Sequence, residues 1–320
     1  MASLPVDEAF RRLFDPQSIS ADTHAVNERL MALLARYEAP ANLAALRDDY
    51  ASGRAGLPVF PKAPHARRMI IPGPRGDIAL RILVPDEVRG AYLHIHGGGW
   101  MLGTTDTQDN LLELVGSAAG LAAVSVDYRL SPEHPYPAPL DDCVAAAAWL
   151  IDHARQEFGT SWLAIGGESA GANLAASTLI RLRDRGYKQA YRAANLTFGC
   201  FDLSLTPSMR RAKGTAFIDR MRMEQMGAAY SGTVDQRDPG ISPLYADLAD
   251  LPPALFTVGT IDPLVDDTLF MHMRWAAAGN HAQLAAYPGG VHGFTLLGSE
   301  IAEEANQKIG RFLSNARNLP

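Results

Sequence analysis

From residue 67 onward the chain alternates between short unbroken apolar runs and longer stretches whose apolar residues recur three and four apart. RRMIIPGPRGDIALRILVP, residues 67–85, predicts two strands joined by a Pro/Gly turn. AYLHIH, LAAVSVDYRL, WLAIGG, NLTFGC, ALFTVG and HAQLAAYP follow it. Continuous apolar runs of this length suit strands covered on both faces. Between them the spacing predicts helices over 138–157, 170–185, 266–278 and 300–315. The first 50 residues are also helical in pattern, most clearly over Val26–Leu34. Strands alternating with helices imply a parallel sheet with right-handed crossovers, an α/β protein. One interval breaks the rhythm: residues 204–247 carry the Met- and Arg-rich FIDRMRMEQMGAAY where a short connection would suffice.

Composition narrows the class. At 320 residues, 47% hydrophobic and 20% charged, the chain can bury one large core plus an accessory element. A formal net charge of -6 with interspersed signs gives no basic footprint for nucleic acid. Cys143 and Cys200 stand outside any C-x-x-C pair and read as reduced thiols. MASLPVDEAFRRLF has charges where a signal peptide would have its apolar core, and no run approaches the roughly 20 residues of a membrane span. A cytoplasmic protein without a membrane partner is expected.

Chemistry enters at Gly167-Glu168-Ser169-Ala170-Gly171, which fits G-x-S-x-G. Ser169 follows an apolar run and precedes a helical pattern, the strand-to-helix setting that a nucleophile elbow requires. Flanking glycines relieve crowding in a sharp turn, and a helix start beside Ala170 favours developing negative charge. On this motif alone, an incidental serine in a Gly-rich turn is an equal account. A serine hydroxyl needs a base, and the base needs a partner. In this architecture both follow the serine, acid first. Asp262, just past Ala254–Gly259, and His292, in a Gly-rich loop after HAQLAAYP, satisfy that order at the carboxyl edge of the sheet. His272 in a helical stretch and His281 at a strand start read as structural. Asp202 also ends a strand and competes for the acid role, as do Asp266 and Asp267, whose alternative is charge at a helix start. His96-Gly97-Gly98-Gly99-Trp100 forms the third component, because three glycines strip side chains from a loop whose N–H groups can then face an oxyanion. His94 and His96 make H-x-H, but no second cluster with ligand spacing accompanies them, and no metal is assigned.

With HGGGW, GESAG, the Asp262 loop and the His292 loop in this order, the chain resembles the hormone-sensitive-lipase-like branch of the α/β-hydrolase family, the bacterial-type carboxylesterases. DYRLSPEHPYP, residues 127–137, is similar to a signature of that branch, and its prolines predict an extended segment ending in a helix start. The resemblance covers roughly residues 68–315. It implies the α/β-hydrolase fold, with a mostly parallel sheet, helices on both faces and a helical cap. Residues 1–50 would form the N-terminal part of the cap, and 51–320 the catalytic domain, with a cap insertion at about 204–232. The implied activity is hydrolysis of short- to medium-chain, small-molecule carboxylic esters without a cofactor. Ser169 would be nucleophile, His292 base, Asp262 orienting acid, and Gly98, Gly99 and Ala170 oxyanion donors. A homodimer through the last strand and helix is compatible with it. Two departures, Glu168 in place of the commoner Asp and Trp100 in place of Phe, are placed at the substrate pocket. Met221, Met223 and Met226 suggest an adaptable apolar lid or its packing. Amidase or lactonase chemistry with the same triad is the near alternative. A ligand receptor on the same fold is the distant one, as in the plant gibberellin receptors, which lack a functional triad; His292 occupies the discriminating position.

Overall fold

The computed structural model describes residues 8–318; the first seven residues of the N-terminal stretch lie outside it. Three helices open the chain: α1 (Glu8–Leu13), α2 (Ala21–Leu34) and α3 (Leu43–Ala51). α2 begins where the Ser20 hydroxyl accepts the Thr23 N–H, and α3 where Asn42 accepts that of Ala45; each side chain satisfies an amide the helix leaves unpaired. A hairpin of β1 (Arg67–Gly73) and β2 (Gly76–Leu83) follows, on the predicted turn. The rest alternates: β3 (Gly90–Ile95), α4 (Asp109–Ala119), β4 (Leu121–Asp127), α5 (Ala138–Phe158), β5 (Leu163–Glu168), α6 (Ala170–Asp184), β6 (Tyr191–Thr197), α7 (Pro207–Arg211), α8 (Arg220–Ser231), β7 (Ala254–Gly259), α9 (Val265–Ala277), β8 (Ala282–Tyr287) and α10 (Glu300–Asn315).

The strands form one eight-stranded sheet in the order β1-β2-β4-β3-β5-β6-β7-β8. Among the described residues, only the β1/β2 and β2/β4 pairings are antiparallel. The strands from β4 through β8 run parallel, so their carboxyl ends share one edge. Successive strand residues face opposite sides, and the core divides accordingly. Leu93, Ile95, Val124 and Val126 pack with α5, α6 and α9 on one face. Tyr92, Ala123 and Ala164 pack with α4 and α10 on the other.

Two elements differ from the pattern reading. α4 was not predicted; Gly120 ends it in the left-handed region directly before β4, so helix and strand merge into one apolar run. NLTFGC leaves the sheet after Thr197, because Phe198 turns to a positive φ of 35°. The N-terminal helices dock on the same edge as the strand ends. The Asn27 amide donates to the Gly289 carbonyl at 2.8 Å, and Asp22 accepts the N–H of Glu300 at 2.9 Å. Cys143 and Cys200 are buried free thiols. Among the described residues, no helix is long and apolar enough to cross a membrane.

Candidate active site

Ser169 sits between the last residue of β5 and the first of α6 with φ 55° and ψ -119°. A non-glycine residue is held there only when its surroundings dictate it. Those surroundings explain the glycines on either side: a Cβ on Gly167 or Gly171 would collide with the Ile95 carbonyl at the end of β3. The G-x-S-x-G spacing thus lets two strand ends and a helix start meet around one partly buried hydroxyl. Asp262 lies in the turn after β7, and His292 in the loop after β8.

These three side chains meet. His292 Nε2 is 3.0 Å from Ser169 Oγ, and His292 Nδ1 is 2.9 Å from Asp262 Oδ2. Asp262 is buried, and its other oxygen accepts the Leu264 N–H at 2.8 Å. With a carboxylate on Nδ1, the ring proton belongs there, leaving Nε2 as the acceptor facing the hydroxyl. Phe198 packs edge-on against the His292 ring at 5.0 Å between centroids. Sequence reasoning missed this contact, because Phe198 reads as part of a strand until its turn is seen.

The competing residues are occupied elsewhere. Asp202 accepts from Ser204 and from the Tyr245 hydroxyl. Asp266 accepts the Ser208 N–H, and Asp267 accepts the N–H groups of Phe201 and Asp202 and the Thr206 hydroxyl. All three organise residues 201–208, which lead into α7. His272 packs edge-on against Phe256, and His281 precedes β8.

Gly98 and Gly99 follow β3 with φ of 113° and 60°, conformations that favour glycine. The Gly98 carbonyl accepts from Met101 and Leu102, while among the described residues the Gly98 and Gly99 N–H groups have no acceptor. Ala170 opens α6, so its N–H has no intrahelical acceptor either. All three residues border the cavity that holds Ser169 and His292. That cavity is about 390 Å³, and residues 37–57 and 217–226 complete its wall.

Two of the expected pocket and lid residues differ in what they touch. Glu168 borders the cavity, but its carboxylate is bound to His94 Nε2 at 3.0 Å and the residue is only 4% exposed. His94 Nδ1 is in turn 3.0 Å from the Ser125 hydroxyl, so Glu168 anchors the elbow to two strands and is not free for substrate. Met221 is 61% exposed and points away from the cavity that Met223 and Met226 line; the helical period carries it to the opposite side of α8. Trp100 does line the cavity, fully buried and stacked on Tyr230 of α8 at 4.6 Å. The H-x-H pair is divided between two tasks: His94 holds Glu168, and His96 stacks on Tyr128 with Nδ1 2.9 Å from the Gly97 carbonyl. Among the described residues, no group of three or more His, Cys, Asp or Glu is placed to hold a metal.

Arg47 of α3 is a further residue that the sequence did not announce. Its guanidinium donates to the carbonyls of Met101 and Ser131, at 2.9 and 3.2 Å, and twice to Glu133 at 2.8 Å. It thereby ties the N-terminal helices to the loop after Gly99 and to the SPEHP segment. The Arg47 guanidinium, with help from the backbone N–H of Glu133 itself, holds the Glu133 carboxyl down at about 2.

A sheet of this order, a serine at the β5–α6 turn and its partners after β7 and β8 define a class, and comparison with known proteins agrees. Residues 92–296 match the family described as having the alpha/beta hydrolase fold. The chain belongs to that family, in its hormone-sensitive-lipase-like branch. It is 35% identical over 256 residues to the esterase LipI of Mycobacterium tuberculosis, covering 74% of this chain and 78% of that protein. It is 31% identical over 266 residues to an acetyl esterase of Salmonella paratyphi B, covering 79% and 81%. Among solved structures it is similar to a hyperthermophilic esterase from Pyrobaculum calidifontis, with a TM-score of 0.83 and 29% identity over 93% of this chain and 99% of that one.

Proposed function

We propose that this protein is a serine carboxylesterase that hydrolyses short- to medium-chain carboxylic esters through an acyl-enzyme. The hydrogen-bonded chain Asp262–His292–Ser169, opening into a largely apolar cavity, carries this reading, and the esterase names of its relatives support it. Ser169 Oγ attacks the ester carbonyl while His292 Nε2 takes its proton, and Asp262 steadies the imidazolium that forms. The tetrahedral oxyanion receives the N–H groups of Gly98, Gly99 and Ala170, donors fixed before the reaction begins. Protonated His292 then delivers its proton to the departing alcohol. Water repeats the sequence on the acyl-enzyme, with His292 again as base, releasing the acid. Every step is proton transfer and acyl transfer among these groups.

The two wall segments, 37–57 and 217–226, act in this account as the cap. Leu43, Leu46, Phe217, Ile218 and Met226 give the cavity an apolar lining, and its volume suits acyl chains of modest length. Turnover of a short ester by Asp262→Asn and Asp202→Asn variants tests the assignment. Asp262→Asn should lower turnover by about four orders of magnitude, since the wrong tautomer then faces Ser169. Asp202→Asn should retain most activity. The reverse ranking contradicts the mechanism.

A further inference from the structure

Among the described residues, the charged side chains lining the catalytic cavity are Glu168 and Arg222. Glu168 is committed to His94. Arg222 is not committed to any carboxylate: its Nη1 donates to the Phe217 carbonyl at 2.9 Å, and its remaining guanidinium donors meet no acceptor among the described residues. One hydrogen bond to backbone fixes the direction of the side chain while leaving most of its fork open. The acids nearby are engaged. Asp219 accepts the backbone N–H of Arg222 as the cap of α8. Asp49 pairs with Arg54 and accepts the Tyr37 hydroxyl at 3.0 Å. Arg220 and Glu224, on neighbouring turns of α8, pair with each other.

The groups around Arg222 on the cavity wall are hydrogen-bond formers of compatible sign. Tyr37, Asn42 and Gln225 line the same space, and α3 opens there through Asn42 and Leu43. A helix start adds partial positive charge. Burial and Asp49 hold the Tyr37 hydroxyl above its ordinary range, with Arg222 acting in the opposite sense, so Tyr37 stays a neutral hydroxyl beside the cation. Esters carrying only alkyl groups make no use of an unpaired guanidinium in a reaction chamber.

We propose that Arg222 is a specificity determinant that binds an ionised carboxylate carried by the substrate, making the preferred ester a monoanion with its scissile carbonyl at Ser169 and its carboxylate at Arg222. This rests on the ester-hydrolase reading above. Arginine is suited to the task, because its planar fork matches a carboxylate with two parallel hydrogen bonds. The carboxylate can stand on either side of the ester: on the acyl side, as in a monoester of a dicarboxylic acid, or on the alcohol side, as in the acetate of a hydroxy acid.

The test measures kcat/KM for two matched pairs, monoethyl against diethyl succinate and 3-acetoxypropanoate against its methyl ester. The readout is the anionic-to-neutral ratio, which cancels any general loss of activity. Arg222→Gln should lower the ratio by about tenfold or more for the pair whose carboxylate reaches Arg222, and Arg222→Lys should keep part of it. Added salt should erode that ratio in the parent and leave it unchanged in Arg222→Gln. The affected pair identifies which side of the ester carries the anion. Ratios equal in parent and Arg222→Gln for both pairs overturn the proposal and leave the ester reading intact. A parent inactive on all four compounds overturns the ester reading itself.

Discussion

His96 directly precedes the Gly97–Gly99 loop, with its Nδ1 proton on the Gly97 carbonyl and its Nε2 buried without a partner among the described residues. Burial pushes its pKa from 6.5 down to about 4, the Gly97 contact opposing. The consequence for stability has a definite sign. Between those values the unfolded chain binds a proton that the folded one refuses, so the contribution is complete above pH 6.5 and lost as pH falls toward 4. At about 1.4 kcal/mol for each pH unit, the loss amounts to roughly 3 kcal/mol. Asp267, which burial raises to about 7, acts oppositely, costing stability as pH rises from 3.8. The difference between two proteins isolates His96: denaturation midpoints between pH 7 and 4 should fall less steeply in His96→Gln than in the parent. Parallel curves would contradict this assignment. At this scale the meeting of Ser169, Asp262 and His292 in one candidate site was legible, since chain order and position after apolar runs single them out. Glu168 stands at the cavity as expected, but its tie to His94, 74 residues away in sequence, was not legible, because no local pattern announces a cross-strand contact. Arg222 drew no reading from the sequence beyond the Met- and Arg-rich segment that holds it, because only the fold shows it in the cavity wall with no carboxylate bound to it among the described residues.

Among the elements, α3 has the largest consequence for its size. Nine residues long, it reaches both the loop after Gly99 and the SPEHP segment through Arg47 alone. The Glu133 arm is half exposed, at 51% for Glu133 against 30% for Arg47, so water screens it and its contribution is at most about 1 kcal/mol. The bonds to the Met101 and Ser131 carbonyls are partly buried and are not replaced when the side chain goes. Glu133→Gln should therefore leave kcat and thermal stability nearly unchanged. Arg47→Ala should lower kcat several-fold by loosening the loop that carries Gly98 and Gly99, at a stability cost of about 1–2 kcal/mol. Equal effects in the two variants would place the role in the ion pair instead. The helical pattern of the first 50 residues was legible, but where those helices dock was not, because docking depends on tertiary contacts such as Asn27 with Gly289. α4 escaped notice for a related reason: its apolar face runs without a break into β4.

At the level of the whole molecule, the parallel sheet was legible because buried strands leave continuous apolar runs, and its functional edge followed from parallel pairing. The strand order, with β4 between β2 and β3, was not, since many orders bury the same runs. The consequence of the assembled fold is that loops from β3, β5, β6 and β8 converge on one cavity, bordered also by segments that are remote in sequence. The most direct measurement is hydrolysis of a short chromogenic acyl ester by the parent and by Ser169→Ala, with both shown by circular dichroism to be folded. The account predicts turnover in the parent and its loss by several orders of magnitude in the variant. Equal turnover in both, or none in a folded parent, would contradict Ser169 as the nucleophile of an esterase.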